Sequence, residues 1–137
     1  MLRTETRRRA RALQLLYAWE QSGRPPVGEV VRRLLTGAPQ WRVSVEDAEP
    51  LALDVAEHVE ALDAQIADAV EHWRPERVGV IEQCILRLAL RELERGETPP
   101  KVTISEAVRL AHWFAGSKAP AFVNGVLDAL ARREGRL

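Results

Sequence analysis

The sequence predicts an all-α protein of about six to seven helices, and three observations carry that prediction. Apolar residues recur every three or four positions through long stretches rich in Ala, Leu, Glu and Arg, which is the period of one buried helix face. Gly and Pro fall in short clusters between those stretches, where they punctuate helices. Aromatic residues make up 5% of the chain, a composition that disfavours strands.

The first helix is expected from about Thr6 to Gln21, with Leu13, Leu16, Tyr17 and Trp19 on its apolar side and Ser22, Gly23, Pro25 and Pro26 ending it. A shorter helix follows over Gly28 to Leu35. A loop through Gly37, Pro39 and Ser44 then carries Trp41, which is expected to fold back onto the core. From Glu49 to Trp73, Val55, Val59, Leu62, Ile66, Val70 and Trp73 keep a helical period, so one long helix is expected with Pro50 in its first turn. The next begins at Pro75, carries Val78, Ile81, Cys84, Ile85, Leu88 and Leu93 as a nearly buried stripe, and ends on Gly96 as a left-handed cap. Beyond Pro99 and Pro100, Thr103 and Glu106 have the spacing of a capping box, and the helix they open runs through Phe114 to Gly116. The last helix runs from near Pro120 to about Arg133 on Phe122, Val123, Val126, Leu127 and Leu130. It holds Asn124 and Gly125, two poor helix formers that together cost on the order of 1 kcal/mol or more, so close packing or function is expected there.

A chain of 137 residues is long enough to bury a core unaided, and one domain spanning 1–137 is expected. Cys84 is the single cysteine and has no partner for an internal disulfide. No apolar run is long enough to cross a bilayer and no leader is evident, which points to the cytoplasm and away from any membrane partner.

Twenty basic residues balance twenty acidic ones, so the distribution of charge matters more than its sum. Arg3, Arg7, Arg8, Arg9 and Arg11 stand against Glu5 alone near the amino terminus, whereas Glu46 to Glu71 holds nine acids and no Lys or Arg. Guanidinium groups bind phosphate in a two-pronged way and stack on exposed bases, a chemistry suited to single-stranded RNA. On a helix Arg7 and Arg11 share a face, so the group forms a fan. Lys101, Lys118 and the ring of Phe122 are possible companions if their helix ends lie beside that fan.

Nothing in the sequence supports catalysis. His58, His72 and His112 lack metal-ligand spacing, Cys84 is spaced as a buried residue, and no phosphate-binding glycine loop is present, so neither cofactor nor metal is expected. The acidic stretch reads as the wet face of an amphipathic helix.

The segment PPKVTISEAVRLAHWFAGSKAPAFVNGVLDALAR, Pro99 to Arg132, resembles the carboxyl-terminal signature of the NusB family, above all in VTISEAVRLA and FVNGVLD. RRRARALQLLYAWE resembles the family's arginine-rich first helix, and VIEQCILRLALREL the helix before the signature; Glu29 to Trp73 matches only in helical character. The resemblance implies two packed helical bundles, here roughly 1–74 and 75–137. It also implies a transcription antitermination factor that binds boxA-like single-stranded RNA together with the ribosomal protein NusE, within an RNA polymerase antitermination complex. It assigns RNA contacts to Arg7, Arg8, Arg9 and Arg11 and, around the last interhelical loop, to Lys118 and Phe122. Tyr17 and Glu82 match positions used for the protein partner. Arg91 stands where many relatives carry a tyrosine, which puts any partner contact through that ring in doubt. Two rivals are an RNA-binding module of a ribosomal RNA methyltransferase and a purely protein-binding adaptor. The stand-alone factor is expected, because no nucleotide-cofactor domain occurs before Leu137.

Overall fold

A computed structural model describes residues 4–71, 73 and 78–137, and among these the regular structure is helical throughout. The chain divides into two compact units, Met1–Glu57 and His58–Leu137.

In the first unit, α1 (Thr4–Gln21), α2 (Val27–Gly37) and α3 (Arg42–Glu57) pack on one another, and a short 3-10 turn (Pro39–Trp41) leads into α3. Leu13, Leu15, Leu16 and Trp19 of α1 meet a core completed by Val30 and Val31 of α2 and Val45, Ala52 and Val55 of α3. After α1 the backbone turns through Gly23 at φ 82° and Arg24 at φ 62°. Positive φ is unfavourable for arginine, and the turn is held by Arg24 N–H donating to the Trp19 carbonyl at 2.9 Å, while its guanidinium pairs with Glu20 at 3.0 Å.

The long helix expected from Glu49 to Trp73 is instead two. The first, α3, starts seven residues earlier, at Arg42, so Pro50 lies inside it. A proline there lacks the amide that would bond the carbonyl four residues back, yet a helix tolerates the loss when both flanks are packed, as Val45, Ala48, Ala52 and Val55 are. The backbone leaves helical geometry at His58 (φ −113°, ψ 13°), and α4 (Val59–Val70) begins a new hydrogen-bond ladder, with Leu62 N–H donating to the His58 carbonyl at 3.0 Å. Periodicity hid the break because both helices bury a face of the same period.

In the second unit, α5 (Val80–Arg95) packs against α4, α6 (Pro100–Phe114) and α7 (Ala119–Arg133). Every residue of α5 from Cys84 to Leu90 is buried, Arg87 included. Arg87 is 4% exposed and places Nε and Nη2 at 2.7 and 2.9 Å from the two oxygens of Asp63 on α4, while Gln83 donates to the same carboxylate at 2.9 Å. This bidentate pair neutralises a charge that would be costly to bury alone. Gly96 at φ 70° caps α5 as the sequence predicts. The expected start at Pro75, like His72, lies outside the described residues; the boundary between the units falls after Glu57 because α4 packs on α5 and α7, whereas the sequence placed it near residue 74.

The capping box read at Thr103 and Glu106 does not form. Pro99 occupies the cap position of α6 and Pro100 the first helical position, where a missing amide costs nothing. Thr103 therefore sits one turn inside the helix, 1% exposed, its hydroxyl without a hydrogen-bond partner among the described residues. A Glu at the third helical position does cap α5: the Glu82 carboxylate accepts from Gly79 N–H at 3.0 Å.

Candidate nucleic-acid interface

Arg7, Arg8 and Arg11 fall on one side of α1 because they occupy successive steps around and up a single turn. The 3-10 turn and the start of α3 rise opposite them. Between the two walls runs an open groove of about 810 Å³ lined by Arg7, Arg8 and Arg11 on one side and by Gln40, Trp41, Ser44 and Asp47 on the other. Both walls belong to the first unit.

The three arginines are differently engaged. Arg8 Nε donates to the Asp47 carbonyl at 3.2 Å, which leaves its Nη groups free among the described residues. Arg11 Nε donates to Ser44 Oγ at 3.0 Å and Nη1 to Gln14 Oε1 at 2.8 Å, and the guanidinium lies 4.1 Å from the centre of the Trp41 ring. Burial, and then the neighbouring Arg7 charge, lower the Arg11 pKa from its ordinary value, although an arginine remains charged at neutral pH. Arg7 is exposed and has no hydrogen-bond or ion-pair partner among the described residues. Arg9 is half-buried, does not line the groove and is already engaged in contacts.

The companions proposed from sequence lie in the second unit. Lys101 is exposed in the first turn of α6, and Lys118 is exposed at the cap position of α7. Phe122 is 5% exposed, on the buried face of α7 with Val123, Val126 and Leu127.

Of the two residues matched to a protein partner, Tyr17 is 37% exposed on α1, its hydroxyl accepting from Gln21 at 3.1 Å. Glu82 is 9% exposed and its carboxylate is committed to capping α5. Arg91, in place of the relatives' tyrosine, pairs with Glu94 at 3.4 Å, and Glu94 also accepts from Gln65 of α4 at 2.8 Å.

Sequence reasoning missed two features. Trp41 is not folded into the core; it is half-exposed and lines the groove. Trp113 and Phe114 end α6 as exposed aromatic rings in edge-to-face contact, centroids 6.4 Å apart. Their signal was available, since both fall beside the Leu110 and Ala111 stripe at the close of the helix. Among the described residues no cluster of His, Cys, Asp and Glu could hold a metal ion, and no helix is long and apolar enough to cross a membrane.

Comparison with known proteins adds to this geometry. Transcription antitermination protein NusB of Solibacter usitatus is 38% identical over 130 residues, which cover 92% of this chain and 87% of that protein. The T. maritima NusB structure matches with a TM-score of 0.80 and 27% identity, over 96% of this chain and 93% of its own. A chain in the crystal structure of a plectonemic RNA supercoil matches at 0.81 with 28% identity, over 97% of both chains. The sequence model of the NusB family matches residues 6–132, nearly the whole of the two helical units and all three groove arginines, and the chain belongs to the NusB family of transcription antitermination proteins.

Proposed function

We propose that this protein is a transcription antitermination factor that binds boxA-type single-stranded RNA of ribosomal RNA leaders together with the ribosomal protein NusE, and so helps RNA polymerase resist termination. The observation that carries this reading is the arginine groove. Arg7 and the Nη groups of Arg8 hold no carboxylate among the described residues and line an open groove. Family membership supports the antitermination role, and a structural match to a chain crystallised in an RNA supercoil supports RNA as the ligand. Lys101, Lys118 and Arg9 are further contacts on this reading, and exposed Tyr17 is the better of the two positions for a protein partner. The chemistry is binding without catalysis, in the cytoplasm, with no cofactor.

The test is fluorescence anisotropy with boxA-like and scrambled RNA, with and without NusE, across a salt series. Four to six phosphate contacts to a single strand give a log-log salt slope of roughly three to four. Tight, sequence-dependent binding with that slope is expected. Binding of NusE alone, with no RNA affinity at low salt, would make the protein a helical adaptor.

A further inference from the structure

Resting on the RNA reading above, we infer that the α1/α3 groove contains a nucleotide subsite in which a base stacks on the Trp41 indole while its phosphate is held by Arg7 and Arg8.

Trp41 is placed for this by the chain on either side of it. The 3-10 turn Pro39–Trp41 is fixed at its end by Trp41 N–H donating to the Ala38 carbonyl at 3.0 Å, and Ser44 Oγ donates back to the Trp41 carbonyl at 3.1 Å. Ser44 in turn accepts from Arg11 Nε. The Arg11 guanidinium is thereby pinned against the indole by two hydrogen bonds and a cation–π contact, and it acts as a positioning residue that keeps the ring in the groove wall. The part of the ring that stays exposed is in the groove wall, beside the arginines of α1.

The charges of the two walls favour one direction for an entering nucleotide. Glu46 and Asp47 are exposed on the α3 side, where Glu46 pairs with Arg42 at 3.7 Å and Asp47 is left to repel phosphate, whereas the arginines that line the groove all stand on α1. Phosphate therefore lies on α1 and the base toward α3. Arg7 stands about one helical turn from Arg11, roughly 6 Å along the axis, a gap that one ribose spans between a stacked base and its phosphate. Stacking is tolerant of base identity because every base has a π-face. An acidic peptide would meet the same arginines but would face like charge on α3 and gain little from a planar ring.

The experiment compares the full-length wild type with Trp41→Ala, Trp41→Phe and Arg7→Ala by anisotropy with labelled boxA-like RNA over a salt series, with melting curves as a check on folding. Loss of one stacked base weakens binding about 5- to 100-fold. Trp41→Ala is expected to show that loss with the salt slope unchanged, Trp41→Phe to recover most of it, and Arg7→Ala to lower the slope. Quenching of tryptophan fluorescence by unlabelled RNA should fall in Trp41→Phe, which reads the contact even if the alanine variant unfolds. Wild-type affinity in Trp41→Ala, or equal quenching in wild type and Trp41→Phe, overturns the subsite while leaving the RNA reading standing. Failure of the wild type to bind RNA at all overturns both.

Discussion

Gly125 sits in the middle of α7 against the outer edge of the Trp73 indole, so close that a Cβ on residue 125 would run into its Cη2 and Cζ2 atoms. With the half-exposed Trp73 ring in this position, only a hydrogen fits at residue 125, which accounts for a poor helix former in a helix interior. Packing outweighs a propensity cost of about 1 kcal/mol.

Gly125→Ala should therefore destabilise the protein although alanine favours helices. Overpacking costs about 1–3 kcal/mol where the neighbour holds its place, which exceeds the propensity gain. Urea denaturation should give a lower midpoint for Gly125→Ala, and the loss should vanish in the Trp73→Ala background. A midpoint above wild type would mean that the ring swings away freely.

Thr103→Val should be neutral or stabilising by up to about 1 kcal/mol, because the buried hydroxyl has no partner among the described residues and a methyl of similar size needs none. A capping threonine would behave oppositely, losing about 0.5–2 kcal/mol when its oxygen is removed. Thermal melts of Thr103→Val thus decide between a cap and a core position. A clear fall in Tm would return Thr103 to the helix start.

Glu82→Ala should cost about 1 kcal/mol by freeing the Gly79 amide at the head of α5, and Glu82→Gln, which keeps an acceptor, should recover most of that. If Glu82 serves the fold alone, the glutamine variant also binds NusE like wild type in a pull-down or calorimetric titration. Weak partner binding by a variant of normal stability would give the carboxylate a second role.

Arg7→Ala should leave the melting temperature within error, since no described residue depends on that side chain, yet weaken RNA binding and reduce the salt slope by about 0.7. Replacing Arg8 or Arg11 is a less clean experiment. Arg8 bridges to the α3 backbone and Arg11 supports Trp41, so both changes should lower stability as well as affinity. An Arg7 variant with undiminished affinity would remove the groove from the RNA path.

Much of the fold was legible because the relevant forces act within a few residues. The ends of α1 and α7 lie within a residue or two of their predicted places, and Gly96 stops α5 because a residue without Cβ accepts φ 70°. The burial of Cys84, Ile85, Leu88 and Leu93 could be read from their apolar stripe, whereas that of Arg87 between them could not. The arginine fan was equally plain, since i, i+4 spacing suffices to put Arg7 and Arg11 on one face. Harder to read were features in which two local rules compete. Thr103 with Glu106 imitates a capping box, but Pro99 and Pro100 start the helix first.

By itself the sequence determined which segments are helical, which faces they bury and where the cations cluster, because periodicity and charge are properties of a single strand of chain. Only the tertiary structure decided what each face meets. It closed the ring of Phe122 inside a core, left Trp41 open beside Arg11, broke the acidic helix at His58 and pressed Trp73 onto Gly125. The physical reason is that a side chain's period reports that it is covered, whereas the identity of its cover depends on a neighbour brought close only by folding.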